Sequence, residues 1–254
     1  MNDAQALPIV PIVRNAILEI LDGRLVGLYV YGSLVSGDFE PDVSDVDLIA
    51  VLDDEPDRSL ARRLSAMHQG IVRAAPEWDD RIEVDYVSSS GLADCRTAPT
   101  TIARVSPGEP LHLIRAGRDF LLDWYPARQD GVALVGPPIA TLIPSIPESD
   151  YLEEVRSYLA SFRTRLDEDA SAGSQAYAIL TMCRGVYALT DGVRLSKRAA
   201  ALRARDEFPR WGRLIDLALA WRDRRWEADQ PDASSSEPET RAFIQEMADL
   251  IGLR

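Results

Sequence analysis

Apolar residues recur along the chain with two periods, and the change of period divides it in two. Val10 to Leu21 repeat at helical spacing and stop ahead of Gly23, which predicts a helix with a glycine cap. Leu25 to Tyr31 is a short β-branched and aromatic run ending in Gly32-Ser33, the pattern of a strand entering a turn. In DVSDVDLIAVLDD, Val46, Leu48, Ala50 and Leu52 alternate with Asp45, Asp47, Ile49 and Val51, which predicts a strand buried on both faces beyond its first residues. A helix with Leu60, Leu64, Met67 and Ile71 on one face follows, then a strand from Arg81 to Val87. Leu111 to Ile114 and Phe120 to Leu122 read as two short strands around a turn at Gly117. Between Pro126 and Pro147 periodicity fades among Pro and Gly, and a linker centred on Gly136-Pro137-Pro138 is expected.

From Ser149 onward the spacing is helical. Leu152, Val155, Leu159 and Phe162 form one stripe, and Tyr177, Leu180, Arg184 and Tyr187 another. Two more helices are expected around Trp211 to Trp221 and Thr240 to Ile251, separated by the polar tract DQPDASSSEPE, which reads as a mobile loop. The expected fold class is α+β: a small mixed sheet with flanking helices over 1–140, then an all-helical bundle over 148–254.

Composition narrows the function classes. Hydrophobic residues make up 46% and charged residues 27%, the balance of a core-forming chain. The net charge of -13 disfavours a long nucleic-acid partner, because phosphate-backbone binding draws on clustered Lys and Arg. The 2 cysteines, Cys95 and Cys183, are far apart and lack metal-ligand spacing. The opening MNDAQALPIVPIV lacks the pattern of a secretory signal, and no run approaches the length of a membrane span, so a cytoplasmic protein without a membrane partner is expected.

The chemistry concentrates in GLYVYGSLVSGDFEPDVSDVDLIAVL. Gly32 allows close backbone approach to a phosphate, and Ser33 with its neighbouring N–H groups can donate to phosphate oxygens. Ser44 offers another donor. Asp45 and Asp47, at i and i+2 on a strand, share one side about 6–7 Å apart at Cα. Such a pair suits Mg²⁺, which takes one or two protein carboxylates plus substrate phosphates, and two ions would serve a leaving pyrophosphate. Glu83 and Asp85 share one face of a later strand, and periodicity alone does not choose which is the third acid, as metal ligand or general base.

Strand, Gly-Ser turn, Asp-x-Asp and a third acidic strand together resemble the signature of the DNA polymerase beta-like nucleotidyltransferases. The resemblance extends to the aminoglycoside 3''-adenylyltransferase (streptomycin/spectinomycin resistance) family, in which a nucleotidyltransferase domain precedes a helical one. It implies transfer of AMP from ATP to a hydroxyl of a small acceptor such as an aminoglycoside-type antibiotic. The family's third carboxylate lies in a Leu-Glu-Val context similar to Ile82-Glu83-Val84, which implies Glu83 as the base. AILTMCRGVYALTDGVRLSK is similar to the family's Leu-Thr-x-x-Arg…Lys run, which implies Arg184 and Lys197 as triphosphate contacts. Streptomycin-modifying members carry a Trp and acidic residues just upstream of that helix. Here the place is taken by Ser171-Ala172-Gly173-Ser174-Gln175, with Asp167, Glu168 and Asp169 nearby.

Blander roles stand beside these. Arg184 could pair with an acidic neighbour, and Lys197 could be a surface lysine at a helix start. Trp211, Trp221 and Trp226 read as packing residues, His68 as a surface or satisfied histidine, and His112 lacks the partners of a triad. A protein-AMPylating antitoxin-like transferase, a catalytically silent nucleotide-binding module and an RNA-end-modifying enzyme are the alternatives.

Overall fold

The computed structural model describes residues 7–224 and 232–253; Trp226 and the first residues of the 229–239 tract lie outside them. The chain forms two compact units, one containing the residues up to Glu40 and Ser44–Pro147, the other Pro41–Val43 and the residues from Glu148.

The first unit runs α1 (Ile9–Leu21), β1 (Leu25–Tyr31), a short α2 (Ser33–Ser36), β2 (Val46–Leu52), α3 (Arg58–Ala74), β3 (Ile82–Ser88), α4 (Ser89–Ala93), β4 (Thr100–Ser106), β5 (Glu109–Ala116), α5 (Leu121–Asp130) and β6 (Val132–Val135). The six strands form one mixed sheet in the order β5-β4-β3-β2-β1-β6. β2 and β3 are parallel, and the other neighbouring pairs are antiparallel. A parallel pair needs a crossover, and α3 supplies it. Asp57 starts that helix by accepting the Leu60 N–H at 2.7 Å.

Alternation along the strands sorts their side chains between two apolar layers. Val46, Leu48, Ala50, Val84 and Tyr86 pack with Val13 and Ile17 of α1 and Leu60 and Leu64 of α3. Ile49, Val51 and Val87 pack on the other face with Phe120, and with Leu121 and Trp124 of α5. Asp47, Glu83 and Asp85 occupy this second face by the same alternation.

Two expectations are corrected here. Phe120–Leu122 is not a strand: residues 118–120 form a 3-10 turn and Leu121 opens α5. Trp124 and Ala127 bury that helix against the sheet, and tertiary packing overrides the weak local pattern and Pro126 inside it. The 126–147 stretch is not a bare linker, because Val132–Val135 completes the sheet on the free edge of β1. Gly136, at φ +90, lets the chain turn within 2.8 Å of the Gly27 Cα, measured from where a side-chain carbon would sit. β4 went unpredicted altogether.

The second unit is helical: α6 (Glu148–Glu168), α7 (Ala172–Asp191), α8 (Lys197–Glu207), α9 (Gly212–Asp223) and α10 (Glu237–Leu250). α7 is its buried axis, with Ala176, Ile179, Leu180, Met182, Cys183 and Val186 all in the core. Gln175 is fully buried and satisfied: its amide donates to the Ala170 and Ala233 carbonyls and its oxygen accepts from Thr240. Trp211 and Trp221 are core residues, as the sequence suggested. Both cysteines are free and buried. No described helix is long and apolar enough to cross a membrane.

Candidate active site

The site is built at the end of β1 and the start of β2 and β3. Gly32, immediately after β1, has φ +70 and ψ -146, a conformation open to glycine alone. A side-chain carbon there would lie 2.1 Å from Asp47 Oδ2, so the missing Cβ is what lets this carboxylate rest against the turn. The Gly32 carbonyl accepts from the Val35 and Ser36 N–H groups, folding the chain into α2. The Ser33 hydroxyl is shielded and makes no hydrogen bond within the described protein, an unused donor at the turn.

Asp47 and Glu83 are direct partners in the parallel β2–β3 register, and Ile49 pairs with Asp85. Asp45 precedes the first strand residue, so the pleat does not fix its direction. Its neighbour Ser44 is buried and turned inward: its hydroxyl accepts from the Glu40 N–H at 3.0 Å. Arg81, buried and stacked over Trp78, donates to the Ser44 carbonyl from Nε and Nη2. The loop that delivers the aspartates is thus tied down at its far end by an arginine that the sequence did not single out.

A second arginine shapes the acids. Arg104 of β4 donates from Nη2 to Glu83 Oε1 and from Nη1 to Asp85 Oδ1, each at 2.7 Å, and lies 3.5 Å from Asp123 Oδ2. Burial raises the Glu83 pKa well above the carboxylate range; Arg104 opposes this, while Asp123, Asp47 and Asp85 reinforce it. Burial likewise pushes Asp85 up to about 7 against the pull of Arg104. Burial lowers the tendency of Arg104 to hold its proton, but Asp85, Glu83 and Asp123 outweigh that and keep it charged. The Tyr31 phenol stays protonated, through burial first and then through Asp123, Glu83, Asp47 and Asp85. Glu83 keeps 14% of its side chain exposed and Asp85 none, a difference that bears directly on which can meet an acceptor. The indole N–H of Trp124 favours ionised Asp85, yet neither it nor Asp85 Oδ2 closes a hydrogen bond of standard geometry.

In the second unit, Lys197 is the first residue of α8, behind a Ser196 cap that accepts the Ala199 N–H. Its ammonium lies 5.0 Å from the centre of the Tyr177 ring. Arg184 is exposed and donates from Nε to the Leu195 carbonyl, and to no acidic neighbour among the described residues. Asp169 bonds the Ser171 and Ser174 hydroxyls and the Ser171 N–H, and Asp167 pairs with Arg241. His68 is the satisfied histidine of the two, buried and 2.7 Å from the Tyr86 hydroxyl. His112 sits near Glu109 and bonds the Pro110 carbonyl.

Comparison with known proteins bears on the domains and the fold. Residues 12–96 match the nucleotidyltransferase domain family, and residues 141–249 match the family described as aminoglycoside adenylyltransferase, C-terminal domain. The chain is therefore an enzyme of the nucleotidyltransferase class, with the C-terminal domain of the aminoglycoside adenylyltransferases. It is 24% identical over 204 residues to a spectinomycin 9-adenylyltransferase of Campylobacter jejuni, covering 75% of this chain and 76% of the relative. Its fold matches a spectinomycin adenyltransferase of Enterococcus faecialis, solved with ATP and spectinomycin, at a TM-score of 0.76 and 18% identity. That match covers 96% of this chain and 98% of the other.

Proposed function

We propose that the chain transfers AMP from ATP to a hydroxyl of a small polycyclic or aminoglycoside-type acceptor, with spectinomycin favoured over streptomycin. The observation that carries this is the β2–β3 register, which sets Asp47 beside Glu83 while the Cβ-less Gly32 admits the Asp47 carboxylate to the phosphate turn. Gly32 and Ser33 cradle the phosphates, with the unused Ser33 hydroxyl as a donor. Ser44 serves by holding the loop, and its hydroxyl bond to Glu40 leaves it a lesser part in nucleotide contact. Arg184 and Lys197 contribute positive charge toward the triphosphate.

The donor chemistry fits Mg²⁺. Asp45 and Asp47 are hard oxygen ligands, and this ion completes its shell with substrate phosphates and water. A ready-made cluster of three ligating side chains is therefore not required, and none occurs among the described residues. When bound, the ion would supply charge neutralisation for the leaving pyrophosphate and acidify the attacking hydroxyl.

Glu83 takes the acceptor's proton. It is the partly exposed member of the acidic pair, and a raised pKa strengthens the ionised form as a base. Asp85, with no exposure, cannot reach an acceptor. The preference for spectinomycin rests on the same class of relatives and on the residues at the start of α7. The segment Ser171–Gln175 carries neither Trp nor carboxylate, Asp169 is engaged with Ser171, and Asp167 with Arg241. Reliance on ATP and the lack of a membrane-spanning helix among the described residues suit a cytoplasmic enzyme.

The test is transfer of label from α-labelled ATP with Mg²⁺ to spectinomycin, streptomycin and a wider aminoglycoside panel. Label on spectinomycin, lost by about a thousandfold in Asp47→Ala, is the expected result. Transfer to streptomycin alone would reverse the acceptor preference, and full activity in Asp47→Ala would remove the metal-site assignment.

A further inference from the structure

Arg104 and Asp123 lie in the stretch between residues 12–96 and 141–249, outside both family matches, yet they meet the acids of the site. The β3–β4 register pairs Arg104 with Asp85 directly. From there the planar guanidinium reaches two carboxylates on one strand face, Asp85 Oδ1 through Nη1 and Glu83 Oε1 through Nη2, both at 2.7 Å. The Phe120 ring, with its centre 5.1 Å from the guanidinium carbon, backs the group from the other side. Asp123 of α5 adds a third charge at 3.5 Å.

We infer that Arg104 is a positioning residue for the transfer proposed above, clamping Glu83 through Oε1 so that its other oxygen meets the acceptor proton. A glutamate has three rotatable side-chain bonds, and a base displaced by about 1 Å loses about a hundredfold in rate. A fixed guanidinium fork removes that freedom, because two donors on one rigid plane meet two carboxylates at once. Asp85 then has a defined part: fully buried and unable to touch the acceptor, it anchors the clamp. The acidic pair that periodicity leaves equivalent is split into a base and the holder of the base's partner.

This inference rests on the role given to Glu83, and the experiment separates the two. Arg104→Met alone leaves two buried acids without their cation and mixes lost stability with lost positioning, so the informative variant is D85N/R104M, compared with D85N, with R104K and with the wild type. In crystal structures, the Glu83 carboxylate is expected to keep its place in D85N, whose amide oxygen still accepts from Arg104 Nη1, and to leave it in D85N/R104M. In AMP transfer, D85N/R104M is expected to lose about a hundredfold in kcat relative to D85N, with KM for ATP unchanged. R104K restores only part of the rate, since an ammonium lacks the planar fork. A Glu83 carboxylate that stays in place in D85N/R104M, or a kcat equal to that of D85N, overturns the clamp. Absence of transfer by the wild type would instead overturn the proposed function, while the position of Glu83 in the two crystal structures would still decide the clamp.

Discussion

The two faces of β3 bury polar groups in opposite ways. On one, Glu83 and Asp85 meet the Arg104 guanidinium together with Asp123, and Asp47 adds its charge beside Glu83. On the other, one residue along, Tyr86 is fully buried and its hydroxyl meets His68 at 2.7 Å, a neutral pair within the apolar layer. Removing charges from water costs several kcal/mol each, and pairing repays this only with good geometry and every lone pair used. The neutral bond carries no such cost. The acidic face holds its carboxylates above their ordinary pKa and leaves Asp85 Oδ2 without a hydrogen bond of standard geometry. Strain of this kind is tolerated where chemistry needs it, and the opposite face shows what the same strand does when only packing is at stake.

The sharpest way to break the contrast is to remove the counter-ion. Arg104→Met should lower stability by about 3–5 kcal/mol, because it removes the cation paired with both buried acids, which must then stay unpaired or take up protons. Chemical denaturation would measure it, and a loss as small as that of a surface substitution would show that the acids are neutral in the native state. The matching change on the other face acts through pH. Burial depresses the His68 pKa from 6.5 to about 4, so the folded protein keeps the ring neutral. Its contribution is present in full above pH 6.5. As pH falls from 6.5 toward 4, the unfolded chain takes up a proton that the native state refuses, and about 1.4 kcal/mol is lost per pH unit. The total approaches about 3 kcal/mol near pH 4, and His68→Gln should abolish that slope while retaining an acceptor for Tyr86. Equal slopes in the two proteins would place the acid sensitivity elsewhere.

Smaller still is the effect of Gly32→Ala, expected to cost about 1–3 kcal/mol through a backbone conformation that only glycine adopts. Because the new methyl would also displace the Asp47 carboxylate, AMP transfer should fall much further than stability. Loss of both in proportion would reduce Gly32 to a turn residue.

What the sequence made legible follows from the same faces. Alternation in Val46–Leu52 and Arg81–Val87 located the two central strands and put Glu83 and Asp85 on one face of theirs, and the parallel register then set Asp47 beside Glu83. The helix start at Lys197 was legible, and the structure adds its Ser196 cap. Arg104 was invisible because TTIARVS was not recognised as a strand, although its Thr, Ile and Val are β-formers flanking an inward cation. Asp123 was missed because the apolar Phe120–Leu122 run suggests a strand when cut short, and its continuation into α5 depends on Trp124 and Ala127 finding the sheet. Val132–Val135 is four apolar residues between Gly131 and Gly136, a strand signal masked by the Pro and Gly around it. Ser44 illustrates the reverse limit, since sequence can supply a hydroxyl near a phosphate turn but not say which way it points.

The central claim is that one sheet face divides its acids into a base, Glu83, and an anchor, Asp85. The most direct measurement is kcat for AMP transfer from ATP to spectinomycin in Glu83→Gln and Asp85→Asn, with ATP affinity measured alongside. Glu83→Gln should lose about 10²–10⁴-fold in kcat with ATP binding retained, and Asp85→Asn should lose less. An active Glu83→Gln beside an inactive Asp85→Asn would contradict the account.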